Sequence, residues 1–163
     1  MNGDLPLRGH ASAAALRAGI LAVLLVAPPA WAFLGGGVAD VQGEQLRMRA
    51  TRAVATTFQP GSVHELRLAD GSSIRQYINA QGIVYAVAWS TRVKPDFTQL
   101  LGRYAADFDA GAAAAPHRPG IQRRAFIDQG DLILQSGGRQ GAFVGKAWLK
   151  SQLPAGTSAN AIR

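Results

Sequence analysis

The sequence predicts an α+β fold, in which an antiparallel sheet of five to six short strands carries one amphipathic helix packed on a face. Three short runs of strand-forming residues lie between positions 63 and 89, and three more lie between 125 and 149. One helical stripe, at 95–108, separates the two groups. Because strands and helix are segregated along the chain instead of alternating, they favour an antiparallel sheet over βαβ units.

Residues 1–32 have the features of a cleavable secretory signal peptide. A basic start is followed by the apolar run 18–27 and by the small-x-small sequence Ala30-Trp31-Ala32. The apolar run ends at Pro28, short of the ~20 residues that a membrane span needs. A retained N-terminal anchor is the alternative. We expect a periplasmic or secreted protein, cleaved near Ala32, with no membrane span in the mature chain.

After cleavage we expect a flexible lead-in at 33–40, because it contains three successive glycines, and a single α+β domain at 41–163. A chain of this length can bury an independent core. There is no cysteine, which excludes disulfides and thiol nucleophiles. Residues 41–58 are rich in helix-forming side chains and predict an N-terminal helix that ends at Pro60-Gly61.

A β-meander is expected next, with strands at Val63–Leu68, Ser72–Ile78 and Ile83–Trp89. The loop Ala69-Asp70-Gly71 suits a three-residue hairpin, which sets Leu66 opposite Ile74 and Glu65 opposite Arg75. Alternation predicts that one face of the meander forms the core. That face would consist of Leu66, Leu68, Ile74, Ile78, Ile83, Tyr85, Val87 and Trp89.

The helix at Pro95–Phe108 is predicted from a continuous apolar stripe, formed by Phe97, Leu100, Leu101, Tyr104 and Phe108. We expect this stripe to lie across the apolar face of the meander. Residues 109–122 read as a surface loop that is longer than most connections, so it is either mobile or a binding loop.

The tail predicts strands at Ala125–Asp128, Leu132–Gln135 and Ala142–Leu149, with turns at Gln129-Gly130 and Gly137-Gly138. The segments 82–89 and 141–148 share a pattern, in which a glycine and an apolar strand lead to Ala-Trp. This pattern is either an internal duplication or the mark of two strands with similar neighbours.

The basic balance of the chain survives the expected cleavage. The full sequence has a net charge of +7, and loss of 1–32 leaves 15 basic and 9 acidic side chains, a net charge of +6. Such a charge favours polyanions, although basic residues spread along a chain also form an ordinary solvated surface. The candidate ligand-binding residues are Arg123, Arg124, Arg139 and Lys146, with Trp89 and Trp148 as stacking platforms or as core residues.

No catalytic, metal or cofactor site is predicted. His64 and His117 have no partner at metal-ligand spacing, and the pairs Asp107/Asp109 and Asp128/Asp131 sit at element ends, where aspartate is ordinary. The glycine-rich segment 136–141 precedes a strand instead of a helix, so it suits a hairpin turn better than a phosphate cradle. We expect no cofactor and no nucleic-acid partner.

Several motifs resemble one family of small secreted proteins of Gram-negative bacteria, catalogued as domain of unknown function 2844. They include the lead-in 32–36, Arg75-Gln76-Tyr77, the segment 82–89, Pro95-Asp96-Phe97, Gln135-Ser136-Gly137-Gly138, the segment 142–149 and Leu153-Pro154-Ala155-Gly156. The resemblance implies secretion and a single domain, and it brings no activity, substrate or site residue.

Three functions follow as hypotheses. The first is a non-catalytic accessory or binding module that binds another component of the cell envelope. The second is a binder of anionic glycan or lipopolysaccharide, which requires Arg123, Arg124, Arg139 and Lys146 to share one face. The third is a hydrolase, which requires His64 or His117 within hydrogen-bond reach of a serine or carboxylate. The oligomeric state stays open.

Overall fold

A computed structural model of the protein describes residues 34–37, 49–58, 60–115 and 124–163. In this part of the chain seven strands form one antiparallel sheet, in the spatial order β1-β2-β3-β4-β7-β6-β5. The α+β class is therefore confirmed, whereas the predicted count of five to six strands is too low. The strands are β1 Arg52–Phe58, β2 Gly61–Arg67, β3 Ser73–Ile78, β4 Val84–Thr91, β5 Arg124–Gln129, β6 Leu132–Arg139 and β7 Ala142–Leu149.

The extra strand is β1, where the sequence predicts part of a helix. The predicted helix at 41–58 is wrong over Arg52–Phe58, and residues 41–48 lie outside the described residues. Three of the seven β1 residues are β-branched, and Pro60 turns the chain so that Phe58 pairs with Gly61. Pairing with a neighbouring strand overrides the weak helix propensity of the segment.

The predicted meander is confirmed in position, and the register of its first hairpin is also confirmed. Leu66 pairs with Ile74 and Glu65 with Arg75, as the hairpin loop predicts. On one face of this pair Nε of Arg75 lies 3.1 Å from the Glu65 carboxylate. In the loop, the Ser72 N–H and hydroxyl donate to the Asp70 carboxylate at 2.8 Å each and hold the pKa of Asp70 below its usual value.

A β-bulge between β3 and β4 changes which residues face the core. Tyr77 pairs with Ala86 and Ile78 with Val84, so Tyr85 has no partner on β3. Such a bulge reverses the alternation of side chains before it. Tyr85, predicted on the helix side, therefore packs on the opposite face beside Tyr77, and Val84 enters the core in its place.

The predicted helix is confirmed and runs further than expected. It consists of α1 (Phe97–Leu101), a 3₁₀ turn (Gly102–Tyr104) and α2 (Ala105–Ala114). Asp96 caps α1 by accepting hydrogen bonds from the N–H groups of Thr98 and Gln99, at 2.8 and 3.2 Å. The predicted loop at 109–122 is wrong over 109–114, where an alanine-rich run favours the helix, and residues 116–123 lie outside the described residues.

The two faces of the sheet are covered by different parts of the chain. The helix face packs under the apolar stripe of the helical segment, as predicted. Its buried residues are Leu34, Leu66, Ile74, Ile78, Val84, Val87, Trp89, Leu100, Leu101, Ile127, Leu132, Leu134, Ala147 and Leu149. The opposite face, here the strap face, is crossed by residues 153–163, the C-terminal strap. Its buried residues are Tyr77, Tyr85, Ala86, Ala88, Trp148 and Ile162.

Residues 34–37, expected in a flexible lead-in, are packed against the sheet. Leu34 is fully buried, and its N–H donates to the carbonyl of Leu100 at 3.2 Å. The Gly35 N–H donates to the carbonyl of Val84 at 2.8 Å, and the Val84 N–H donates to that of Gly36 at 2.9 Å. The start of the expected mature chain is therefore part of the fold.

Two expectations about the glycine-rich tail are also settled. Gly137 and Gly138 were predicted as a turn, but they lie inside β6, and the turn follows at Gln140-Gly141. The similar segments 82–89 and 141–148 pair directly, since β4 neighbours β7. Trp89 packs on the helix face and Trp148 on the strap face, so the two segments do not occupy equivalent environments.

The contact between α2 and β5 predicts the sign of one substitution. A side chain at Gly111 would overlap the Ile127 side chain of β5. We expect Gly111→Ala to lower the free energy of unfolding by about 1–2 kcal/mol, because overpacking outweighs the gain in helix propensity. Urea denaturation measures the effect, and Ala113→Gly at an exposed position of the same helix gives the reference for propensity alone. A stabilising Gly111→Ala would contradict this packing.

Candidate functional site

The candidate site is a groove on the strap face, above β5, β6, β7 and β4. Two cross-strand rows build it, and the strand register defines them. One row runs Arg124–Gly137–Val144–Ser90, and the other runs Phe126–Gln135–Lys146–Ala88. Ile162 and Arg163 of the strap close one side, and the groove has a volume of about 610 Å³. Short side chains at Gly137 and Ser90 keep its floor low.

The groove exposes two large apolar side chains. Phe126 on β5 is 63% exposed and Val144 on β7 is 51% exposed. Both alternate with inward-facing residues, so they point away from the helix-side core. Single exposed apolar residues are ordinary, but two that line one groove form a surface suited to an apolar group of a ligand.

Basic side chains surround these apolar residues. Arg124, Lys146 and Arg163 line the groove, and Arg139 is exposed on the same face at the end of β6. Three of the four predicted basic residues thus share one face, and the fourth, Arg123, lies outside the described residues. The arrangement is that of an amphipathic, positively charged groove.

Lys146 also fastens the strap beside the groove. Its Nζ donates to the carbonyl of Ala159 at 2.7 Å and to that of Ile162 at 3.3 Å, and lies 5.7 Å from the centre of the Trp148 ring. Sequence reasoning grouped Lys146 with the ligand-binding residues. The structure gives it a structural contact in addition, because its ammonium satisfies two carbonyls of a segment that has few backbone partners.

The strap is held by a second set of contacts at its end. The Tyr77 hydroxyl donates to the carbonyl of Arg163 at 2.8 Å and accepts from its N–H at 2.9 Å, while Nη1 of Arg75 donates to the same carbonyl at 3.0 Å. Ile162 is 1% exposed, so it acts as the apolar anchor. Sequence reasoning missed this element, since the partners of Arg163 lie 86 and 88 residues away in the chain.

Beneath the strap, the Tyr85 hydroxyl is buried without a hydrogen-bond partner among the described residues. Burial is the main cause that raises the pKa of Tyr85, and the neighbouring Tyr77 raises it further. The group therefore stays a neutral phenol at physiological pH. The bulge between β3 and β4 affects the site, because it places Tyr85 on the strap face.

The tryptophans do not form stacking platforms. Trp89 is 4% exposed and Trp148 is 6% exposed, so neither offers the open ring face that stacking on a sugar requires. Trp89 packs edge-on against Phe97, with ring centres 5.6 Å apart, and also borders a smaller cavity of about 230 Å³ on the helix face. Among the described residues whose burial is assigned, the exposed aromatic side chain is Phe126, which alternates with Arg124 on an edge strand. That alternation is the sequence signal that could have identified it.

Three of the described residues that were considered as catalytic candidates are half-buried or make structural contacts. His64 lies half-buried on β2 with no hydrogen bond from its ring to another described residue, and burial lowers its pKa. His117 lies outside the described residues. Asp128 pairs with Lys150 at 2.9 Å, and Asp131 accepts from the N–H and hydroxyl of Ser151 at 2.8 and 2.6 Å. Within the described ranges no three metal-ligating side chains cluster.

The strap's anchor predicts a stability effect. We expect Ile162→Ala to lower the free energy of unfolding by about 2–4 kcal/mol, because it leaves a cavity against Trp148 and Tyr85. Denaturant unfolding followed by tryptophan fluorescence measures this loss. Val144→Ala, a truncation of an exposed residue on the same face, should change stability by less than about 0.5 kcal/mol. Equal effects of the two variants would show that the strap contributes nothing to folding.

Comparison with known proteins places the chain in a family. No curated protein and no solved structure matches it. None of the helices in the described ranges has the length and apolar character to cross a membrane. A family described as "Protein of unknown function (DUF2844)" has a model that matches residues 30–162, which is most of the chain and includes every strand of the sheet. The chain therefore belongs to the DUF2844 family.

Proposed function

We propose that this protein is an exported, non-catalytic binding module of the cell envelope, and that its ligand occupies the groove on the strap face. The observation that carries the proposal is the placement of exposed Phe126 and Val144 between basic side chains in one groove. A groove of this volume with an apolar floor and a few polar groups suits ligand binding. No pair of groups in it is arranged as nucleophile and base, so binding is the chemistry that it supports.

The groove favours one class of envelope component, an anionic amphiphile. Arg124 and Lys146 would face the anionic group, and Phe126 and Val144 would contact its apolar part. A purely polar glycan would leave both apolar side chains unused, and it would find no open tryptophan ring. Lipopolysaccharide, the second function considered from the sequence, combines phosphates with acyl chains and therefore fits better than a plain anionic glycan.

Two observations support export. The family match begins at residue 30, beside the small-x-small sequence that ends at Ala32. Leu34 is buried in the helix-side core, so a chain that starts at Phe33 keeps its first contacts with the sheet. Cleavage at Ala32 would therefore release a chain in which the buried Leu34 lies next to the new terminus.

Export predicts a defined N-terminus. When the full-length protein is expressed in a Gram-negative host, we expect the periplasmic fraction to contain a chain that begins at Phe33, as measured by intact mass. Ala32→Arg should leave the precursor uncleaved, because a large basic residue does not fit the small-residue cleavage site. Recovery of a cytoplasmic protein that retains Met1 would contradict the proposal.

Binding predicts an effect of one groove substitution. We expect the purified protein to bind vesicles that contain lipopolysaccharide, with an affinity that falls as salt rises. Val144→Glu should weaken this binding at least about tenfold, since it places a negative charge where an apolar, anionic ligand lies. Co-sedimentation with vesicles measures it, and vesicles of phosphatidylcholine alone give the baseline.

The matched control is Val93→Glu. Val93 is a second strongly exposed valine, at 68%, and it lies outside the groove. The Val93→Glu variant carries the same change in charge and size as Val144→Glu but outside the groove, so it should bind lipopolysaccharide vesicles as the unmodified protein does. If both variants bind equally, or if phosphatidylcholine vesicles bind as well as those with lipopolysaccharide, the groove is not the site.

A further inference from the structure

We propose that β5 is a self-recognition edge, through which two copies of the protein join their sheets in an antiparallel, two-fold symmetric pair. In the described part of the chain β5 is hydrogen-bonded to β6 on one side and to no strand on the other. Its outer backbone groups are therefore free to pair, which makes such an edge a template for another strand. This proposal does not depend on the ligand of the groove.

The sequence of β5 is complementary to itself in one register. Arg124, Phe126 and Asp128 alternate along the strand and share the strap face. A two-fold axis through Phe126 sets the two Phe126 side chains opposite each other. The same axis sets Arg124 of each copy opposite Asp128 of the other, so two ion pairs flank one aromatic pair. Directly opposed residues of this kind stabilise antiparallel strands.

The exposure of these residues agrees with a partner on that edge. Phe126 is the most exposed aromatic side chain among the described residues for which burial is assigned, and five of the six β5 residues are exposed. The Asp128 carboxylate is held by Lys150 through Oδ1 alone, which leaves Oδ2 to accept from a second copy's Arg124. The strand carries neither proline nor lysine, and its two charged side chains, Arg124 and Asp128, are of opposite sign and complement each other across the proposed axis.

The other edge of the sheet lacks this complementarity. β1 also has one free side among the described residues, but Arg52 is its only charged side chain. Two copies paired through β1 would gain no ion pair. Pairing of β1 with β5 of another copy would repeat without closing and would build polymers. Of the pairings between these two edges, only β5 with β5 both closes as a dimer and gains ion pairs.

A charge-reversal experiment tests the pairing. Sedimentation equilibrium of the purified protein, between about 10 and 500 μM, should show a reversible dimer, because one strand pair forms a small and weak interface. Arg124→Asp alone and Asp128→Arg alone should each weaken dimerisation at least about tenfold, since each places two like-charged pairs across the axis. Circular dichroism melting checks that both variants fold.

Mixing the two variants gives the decisive result. An Arg124→Asp chain and an Asp128→Arg chain restore both opposite-charge pairs when they meet, so the equimolar mixture should dimerise at least as well as the unmodified protein. Val144→Glu, which alters the groove and not the edge, should leave dimerisation unchanged. That variant separates a failure of the groove proposal from a failure of this one.

Any of four results would overturn the inference. The first three are a monomer at every concentration, single variants that dimerise as the unmodified protein does, and a mixture that stays monomeric. Assembly into polymers that grow with concentration would assign the contact to β1 and β5 together and would equally overturn it.

Discussion

The pairing of β4 with β7 is the contact on which the rest of the molecule depends. It joins two antiparallel meanders, β1–β4 and β5–β7, that are separated in the chain by the helical segment. Trp89 lies directly opposite Gly145 in this pair, and a side chain at Gly145 would overlap the Trp89 ring. The glycine therefore leaves room for the Trp89 ring at the seam between the two halves.

This seam determines how each face is covered. On the helix face, Trp89 fills the space below Phe97, and the helical segment closes over it. On the strap face, β4 presents Ala86 and Ala88, whose small side chains allow the strap to lie close to the sheet. The strap crosses only part of that face, and the groove begins where Ile162 and Arg163 end. Among the described residues, the groove thus lies where the strap leaves the second layer incomplete.

Local chemistry explains which parts of the fold the sequence predicts. The hairpin from Leu66 to Ile74 was predictable because Asp70 and Gly71 define the turn and alternation defines the register. The strand β1 was not predictable, because its extended conformation depends on pairing with β2 and not on the propensities of its own residues. The bulge at Tyr85 was not predictable for a related reason. Tyr85 and Ala86 both suit a strand, and only the pairing of β4 with β3 shows which of the two residues is the extra one.

The candidate site, like the fold, was predictable only where local sequence patterns determine it. Arg124, Arg139 and Lys146 were predicted as a basic face, and alternation along three neighbouring strands does bring them to one side of the sheet. Phe126 was not singled out, because exposure of an apolar residue depends on whether its strand lies at an edge, which is a property of the whole sheet. The wall formed by the strap depends on contacts between Tyr77 and Arg163, far apart in the chain.

Because the proposed pairing edge and the proposed binding groove share Phe126 and Arg124, assembly and binding would be physically linked. Phe126 lies on the edge strand β5 and also lines the groove, so one ring belongs to both surfaces. If a second copy covers the edge side, the ring loses rotational freedom before any ligand arrives, so less conformational entropy remains to be lost on binding. Pairing also places two positively charged grooves side by side, and their combined field would attract an anionic surface more strongly than either groove alone. An extended anionic surface, more than an isolated small molecule, is the ligand that such a geometry would favour.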